Sequence, residues 1–251
     1  MFSPADRSHL RSTLLHHAVL DPRITGTALT GSAAADREDP WSDIDLAFAI
    51  ADPLALPAVV ADFTDRMYAQ HQALHHLDVP SGPWLYRVFL LPGSLQVDLA
   101  FVPASDFRAS APTFRLVSGE AQNPLYAEPP APDALIGLAW LYALHARTSL
   151  ARNHLWQAEF MISALRDTAL ALACLRHNLP TQHGRGFDHL PPSVTEPFAD
   201  ALVHHLDTPE LARALRTAID CLLTEIHHAN PALATKLQET LLLCTADEAV
   251  R

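Results

Sequence analysis

Leu29-Thr30-Gly31-Ser32-Ala33-Ala34-Ala35-Asp36-Arg37-Glu38-Asp39-Pro40-Trp41-Ser42-Asp43-Ile44-Asp45-Leu46 is the stretch on which the reading of this chain turns. An apolar run, residues 24–30, has the length and composition of a strand and ends in Gly-Ser. A short helical or looped segment follows, and a second such run, residues 44–50, opens with Asp-Ile-Asp. Strand periodicity puts Asp43 and Asp45 on one face, with Ile44 and Leu46 on the other. Two neighbouring carboxylates on one face repel each other, which is costly unless a cation sits between them. Hard oxygen donors in that arrangement suit Mg²⁺, which keeps room for substrate phosphate oxygens. Gly31 permits close backbone approach, and the Ser32 hydroxyl with the free amides of a helix start can bind the β and γ phosphates.

A third carboxylate stands in Leu95-Gln96-Val97-Asp98-Leu99-Ala100-Phe101, where Asp98 is the only charge in an apolar strand. If that strand lies beside the one carrying Asp45, three carboxylates converge and can hold two metal ions about 4 Å apart. One ion would bind a triphosphate and the other would lower the pKa of an acceptor hydroxyl. A lone Asp-x-Asp is common and usually marks a turn or a solvated strand end. The joint pattern of Gly-Ser after one strand, Asp-Ile-Asp opening the next and Asp inside a later apolar strand is much harder to reach by chance.

Outward from this stretch the chain changes character near its middle. An amphipathic helix is expected over residues 5–19. Strands are expected over 24–30, 44–50, 84–91 and 95–102, with 74–79 as a fifth candidate and a helix over 56–70. Pro92-Gly93-Ser94 reads as a hairpin turn. Three prolines within Glu128-Pro129-Pro130-Ala131-Pro132 place a linker over 123–133. Beyond it the pattern is helical, over 134–150, 154–177, 194–205, 210–228 and 232–245, with Ser193, Thr208 and Asn230 as expected caps. The expected architecture is an α+β domain over 1–122, a mixed sheet flanked by helices, followed by an all-α helical bundle over 134–251.

Gly31-Ser32, ten intervening residues, then Asp43-Ile44-Asp45 with a later strand aspartate resembles the DNA-polymerase-beta-like nucleotidyltransferase superfamily. Within it the chain looks like the small bacterial enzymes that adenylylate aminoglycosides and lincosamides, which also pair an N-terminal nucleotidyltransferase domain with a C-terminal helical bundle. The resemblance implies a transfer of a nucleoside monophosphate from ATP or another nucleoside triphosphate to an acceptor hydroxyl, with two Mg²⁺ ions. It implies that Asp43 and Asp45 bind both metals, that Asp98 binds the catalytic one, and that Gly31 and Ser32 hold the triphosphate. Many relatives carry Gly-Arg soon after Gly-Ser, with the arginine on phosphate. This chain has Ala35-Asp36-Arg37 instead, so Arg37 and Arg87 are both candidates for that contact. Some relatives take the base that deprotonates the acceptor from outside the triad. Asp98 could serve directly, and Glu159, on a polar stripe with Ser163 and Arg166, is the alternative.

Composition narrows the partners. The 251 residues carry a formal charge of −11, with one lysine (Lys236) against sixteen arginines. A nucleic-acid track needs clustered basic residues, so stable nucleic-acid binding is not expected and a small-molecule acceptor is preferred over a macromolecule. No run has the length of a membrane span and the start lacks a signal-peptide core, which points to the cytoplasm. The three cysteines are far apart in apolar stretches and read as buried free thiols. His71, His75 and Asp78 have a spacing that could align three ligands on one helix face, although surface histidines are the ordinary explanation. Trp140, Trp156 and Phe160 are expected in the core of the bundle. A homodimer stays open. So do modification of a tRNA end or a protein, and a non-catalytic binding module of the antitoxin type.

Overall fold

Ser3 and Asp6 start the first helix of the computed structural model, which describes residues 2–245. The Asp6 backbone N–H donates to Ser3 Oγ at 3.1 Å while the Ser3 N–H donates to Asp6 Oδ2 at 3.3 Å. This reciprocal cap satisfies two of the donors that a helix start leaves orphaned. Met1 and residues 246–251, at the outer ends of the two domains expected from sequence, lie outside the described residues. The chain divides into two units between Ala127 and Glu128, and residues 123–131 carry no helix or strand.

The first unit runs α1 (Pro4–Leu20), β1 (Ile24–Thr30), α2 (Gly31–Ala34), β2 (Ile44–Ile50), α3 (Leu56–His71), β3 (His75–Ser81), β4 (Trp84–Leu90), β5 (Gln96–Pro103) and β6 (Phe114–Gly119). The six strands form one mixed sheet in the order β3-β4-β5-β2-β1-β6. Only β2 and β5 pair in parallel; the other neighbours are antiparallel. One face of the sheet buries Leu46, Phe48, Leu99 and Phe101 against α1 and α3. Phe48, Phe63 and Phe101 meet there with ring centroids 5.0–5.6 Å apart, spacings at which aromatic pairs attract beyond their area. The opposite face is built from small residues, Ala28, Ala47, Ala49 and Ala100, with Phe107 lying over them.

β6 was not expected. It is an edge strand of six residues, mostly exposed, so it has no burial alternation for a sequence pattern to reveal. The spacing of His71, His75 and Asp78 does not share one helix either. α3 stops at His71, with Gln72 left-handed at φ 57°, and the other two residues belong to β3.

The second unit is α4 (Pro132–Ala151), α5 (Leu155–Arg176), α6 (Pro192–Ala199), α7 (Thr208–Ala229) and α8 (Pro231–Leu243). Ala139, Ala143 and Ala146 repeat at helical spacing on α4 and are buried with Ala158, Leu165 and Ala169 of α5 and Leu215, Ile219 and Leu222 of α7. Alanine faces let helix axes approach closely, and they turn the bulky residues outward. Trp156 is 77% exposed, Phe160 65% and Trp140 37%, which corrects their expected place in the core. Asn230 caps α8, accepting from the Leu233 N–H. Asp207 rather than Thr208 caps α7, its carboxylate accepting from the Glu210 N–H. α6 starts on prolines with no side-chain cap, Ser193 lying inside it, and ends at Ala199 instead of near residue 205. The following carbonyls, Asp200 and Leu202, are taken by the Arg213 guanidinium. All three cysteines are buried free thiols. No helix among the described residues is long and apolar enough to cross a membrane.

In the helical unit Arg176 and Glu225 form an ion pair whose carboxylate is buried. Arg176 donates to both Glu225 carboxylate oxygens, at 3.0 and 2.8 Å, and the Glu225 side chain is 4% exposed. Arg176→Met leaves that carboxylate buried and alone, and is expected to cost roughly 3 kcal/mol in urea denaturation. That is the low end for such pairs, because Arg176 is a third open to water. Adding Glu225→Leu should recover most of the loss, since an apolar pair of similar volume needs no partner.

Candidate active site

β1 ends at Thr30, and Gly31 turns the chain into α2 with φ 60°. A Cβ on Gly31 would sit 2.0 Å from Asp45 Oδ2. The glycine is therefore required twice, for the left-handed backbone and for the space the Asp45 carboxylate fills. The next residue, Ser32, has its hydroxyl oxygen buried with no hydrogen-bond partner. Such an orphan is uncommon in a folded chain and costs desolvation unless something binds to it.

The parallel pairing of β2 with β5 sets Asp45 opposite Asp98. Register partners on neighbouring strands project to the same face, so the two carboxylates stand side by side. Asp43 lies just before β2, where Gln96 at the start of β5 donates to its Oδ2 at 3.4 Å. Asp98 Oδ1 is buried without a partner. Burial first, and then the charge of Asp43, push the Asp98 carboxyl up to about 6. A cavity of about 500 Å³ adjoins this edge of the sheet, with Phe2, Trp41, Asp43, Gly93 and Gln96 in its walls.

Two side chains near the site, Tyr86 on this face and Arg115 on the helix-covered one, have no counterpart among the residues singled out from sequence. Val88 is the register partner of Asp98, which brings Tyr86 of β4 to the same face, opposite Ala100. Burial and the Asp98 charge raise the Tyr86 phenol above its ordinary pKa. Arg115 of β6 donates to the Ala33 carbonyl at 2.7 Å and to Asp36 Oδ1 at 2.8 Å, tying down the segment that follows Ser32. The alternation of Trp84-Leu85-Tyr86-Arg87-Val88, read together with the hairpin register, was the available signal for Tyr86. Nothing local signals Arg115, because its partners Asp36 and Ala33 lie 79 and 82 residues away in the chain.

The remaining expected residues are not all brought together. Arg87 is the register partner of Leu99 and therefore projects to the helix-covered face, away from Asp98. There it donates to both oxygens of Asp78 at 2.6 Å and to Thr64 Oγ1 at 2.6 Å. Arg37 is exposed, and its backbone N–H donates to the Ser32 carbonyl at 3.0 Å. Glu159 lies in the helical unit, where its Oε1 accepts from Ser163 at 2.7 Å. Arg166, on the same stripe, is engaged by Asp167.

Three carboxylates near one strand edge supply hard oxygen donors. The buried Asp98 Oδ1 and Ser32 Oγ are the atoms that a divalent cation and its phosphate ligand would satisfy. Among the described residues no three His, Cys, Asp or Glu side chains stand as a ready-made metal cluster. The fit is one of donor chemistry and register, not of a finished coordination shell.

No family model and no curated protein matches the chain. Among solved structures, an aminoglycoside 6-adenyltransferase from Bacillus subtilis is similar to it over 98% of this chain and 100% of that one, at 13% identity and a TM-score of 0.44. A likeness so distant leaves the functional reading to rest on the site itself.

Asp98 also makes a stability test. Its carboxyl is raised in the folded protein from 3.8 to about 6, so folding favours its protonated form. Stability is then lost as pH rises from about 4 to about 6, by on the order of 3 kcal/mol at 1.36 kcal/mol per pH unit. Without metal, Asp98→Asn should melt above the wild type at pH 8, and the gain should vanish near pH 4. Thermal denaturation across that range checks both the sign and the window.

Proposed function

We propose that the chain is a Mg²⁺-dependent nucleotidyltransferase. It would move a nucleoside monophosphate, AMP from ATP in the first instance, onto a hydroxyl of a small molecule such as an aminoglycoside-like antibiotic. The observation that carries this reading is the register of Asp45 with Asp98 across the parallel pair β2–β5, with Asp43 beside them and Gly31 packed against the Asp45 carboxylate.

In this reading the Ser32 hydroxyl and the Gly31-Ser32 backbone hold the terminal phosphates of the donor, and its unpartnered oxygen supports that role. Asp43, Asp45 and Asp98 would hold the divalent cations, which when bound would neutralise phosphate charge and acidify the acceptor hydroxyl. The acceptor oxygen forms a bond to the α-phosphorus as the bridge to the β-phosphate breaks, and pyrophosphate leaves towards Ser32. The acceptor proton passes to Asp98, with Glu159 of the helical unit as the alternative base. Arg37 is the arginine proposed to meet phosphate. It follows the Ser32 turn and takes part in no ion pair among the described residues, whereas Arg87 is engaged by Asp78 on the other face.

The test supplies α-labelled ATP, GTP, CTP and UTP with Mg²⁺ to the purified protein. Acceptors are an aminoglycoside and lincosamide panel, bulk tRNA and protein. Label on a small molecule with pyrophosphate released is the expected outcome, and Asp45→Asn should lower transfer at least about a thousandfold. Label on tRNA or protein would keep the chemistry and replace the acceptor. Full activity in Asp45→Asn would overturn the site.

A further inference from the structure

In the first unit, Arg7 is the one charged side chain that is buried among the described residues. A guanidinium taken out of water is costly unless its donors are matched, and the matches point to one segment. Arg7 Nη1 donates to the Asp39 carbonyl at 2.7 Å and to the Ser42 carbonyl at 2.9 Å. Its Nε lies 3.3 Å from Glu38 Oε1, a carboxylate that also accepts from Arg11 at 2.5 Å. Every one of these partners belongs to the loop that delivers Asp43 to the start of β2.

That loop has no apolar anchor. Asp36, Arg37, Glu38, Asp39, Pro40 and Trp41 are all exposed, so burial does not hold it. Its tip is closed by its own bonds. The Ser42 N–H donates to the Asp39 carbonyl at 3.2 Å, the Asp39 N–H to Ser42 Oγ at 2.9 Å, and the Trp41 N–H to Asp39 Oδ1 at 2.8 Å. The turn can keep its shape without Arg7. What Arg7 adds is the position of that turn relative to α1, which is packed on the sheet through Leu10, Leu14 and Ala18. The Ser42 carbonyl is half of the peptide unit whose other half is the Asp43 N–H. Holding that plane aims the Asp43 side chain.

We infer that Arg7 is the positioning residue for Asp43, acting through the Ser42–Asp43 peptide to place that carboxylate beside Asp45 and Asp98. The inference rests on the proposed metal-dependent reading of the site. Arginine suits the task because one planar fork serves two carbonyls and a carboxylate at once. A lysine ammonium reaches part of that set.

The test uses the full chain and reads Mn²⁺ binding in the presence of ATP, by electron paramagnetic resonance of free Mn²⁺, well below each protein's melting temperature. Arg7→Met should weaken binding about tenfold to a hundredfold, the range for groups that orient metal ligands, and Arg7→Lys should recover part of it. Leu14→Ala, on the same helix and fully buried, is the control for stability loss and should lower the melting temperature while leaving affinity within about twofold. If Arg7→Met does not fold, Arg7→Lys carries the comparison, with weakened binding expected at a melting temperature no lower than that of Leu14→Ala. Wild-type affinity in the Arg7 variants, or an equal loss in Leu14→Ala, would overturn the positioning role. A wild type that binds no Mn²⁺ with ATP would instead bring down the metal reading itself, a result distinct from the other two.

Discussion

The parallel pairing of β2 with β5 is the constraint on which the rest depends. In an antiparallel pair, residues near the start of both strands lie at opposite ends of the ladder. The parallel pair puts both starts at one edge, so Asp45 and Asp98 fall opposite each other. Parallel neighbours need a crossover, and here the chain between them forms α3 and the β3–β4 pair. α3 packs on the face carrying Leu46, Phe48, Leu99 and Phe101. The carboxylates project to the other face, so the helix that makes the parallel pair possible does not cover them.

This arrangement carries a standing electrostatic cost. Burial and a neighbouring carboxylate raise Asp98, and both its Oδ1 and Ser32 Oγ are buried without partners. Each unpartnered group sacrifices stability on the order of a kcal/mol or more. The sheet can bear this because its helix-covered face is closely packed around Phe48, Phe63 and Phe101. Strain of this kind at one strand edge, beneath an otherwise consistent fold, is where a functional site is to be expected.

Asp43, Asp45, Asp98 and Gly31-Ser32 were legible in the sequence because each breaks a local rule. Asp45 and Asp98 interrupt apolar runs, Asp43 stands just ahead of one, and the glycine ends a strand where a side chain would otherwise continue it. Residues whose place depends on register were harder to read. Arg87 and Tyr86 are neighbours in β4 and point to opposite faces. The sequence makes them alternate but does not say which one shares a face with Asp98 until the β4–β5 pairing is known. Arg115 sits on an exposed edge strand without an apolar pattern, and Arg7 is one polar residue in an amphipathic helix whose partners lie more than thirty residues away. In the helical unit the periodicity was clear, but α5 is apolar on several sides. Its alanines took the interior, and Trp156 and Phe160 were left in solvent.

Residues 31–43 also show how a chain can fix a loop without burying it. Arg115 grips the near end at Ala33 and Asp36, and Arg7 grips the far end at Asp39 and Ser42. The two grips, each on backbone carbonyl and carboxylate, differ in exposure. The Arg115–Asp36 pair is exposed, at 44% and 79% for the two side chains, where salt screens a charge pair and its worth is small. The Arg7 side chain is 7% exposed and binds backbone carbonyls, which neither move away on a flexible stem nor change protonation. The buried grip is therefore the one at the Asp43 end, while the charge pair at Asp36 is open to solvent. In the proposed metal-dependent reading, that fixity suits a carboxylate that would share a cation with Asp45 and Asp98.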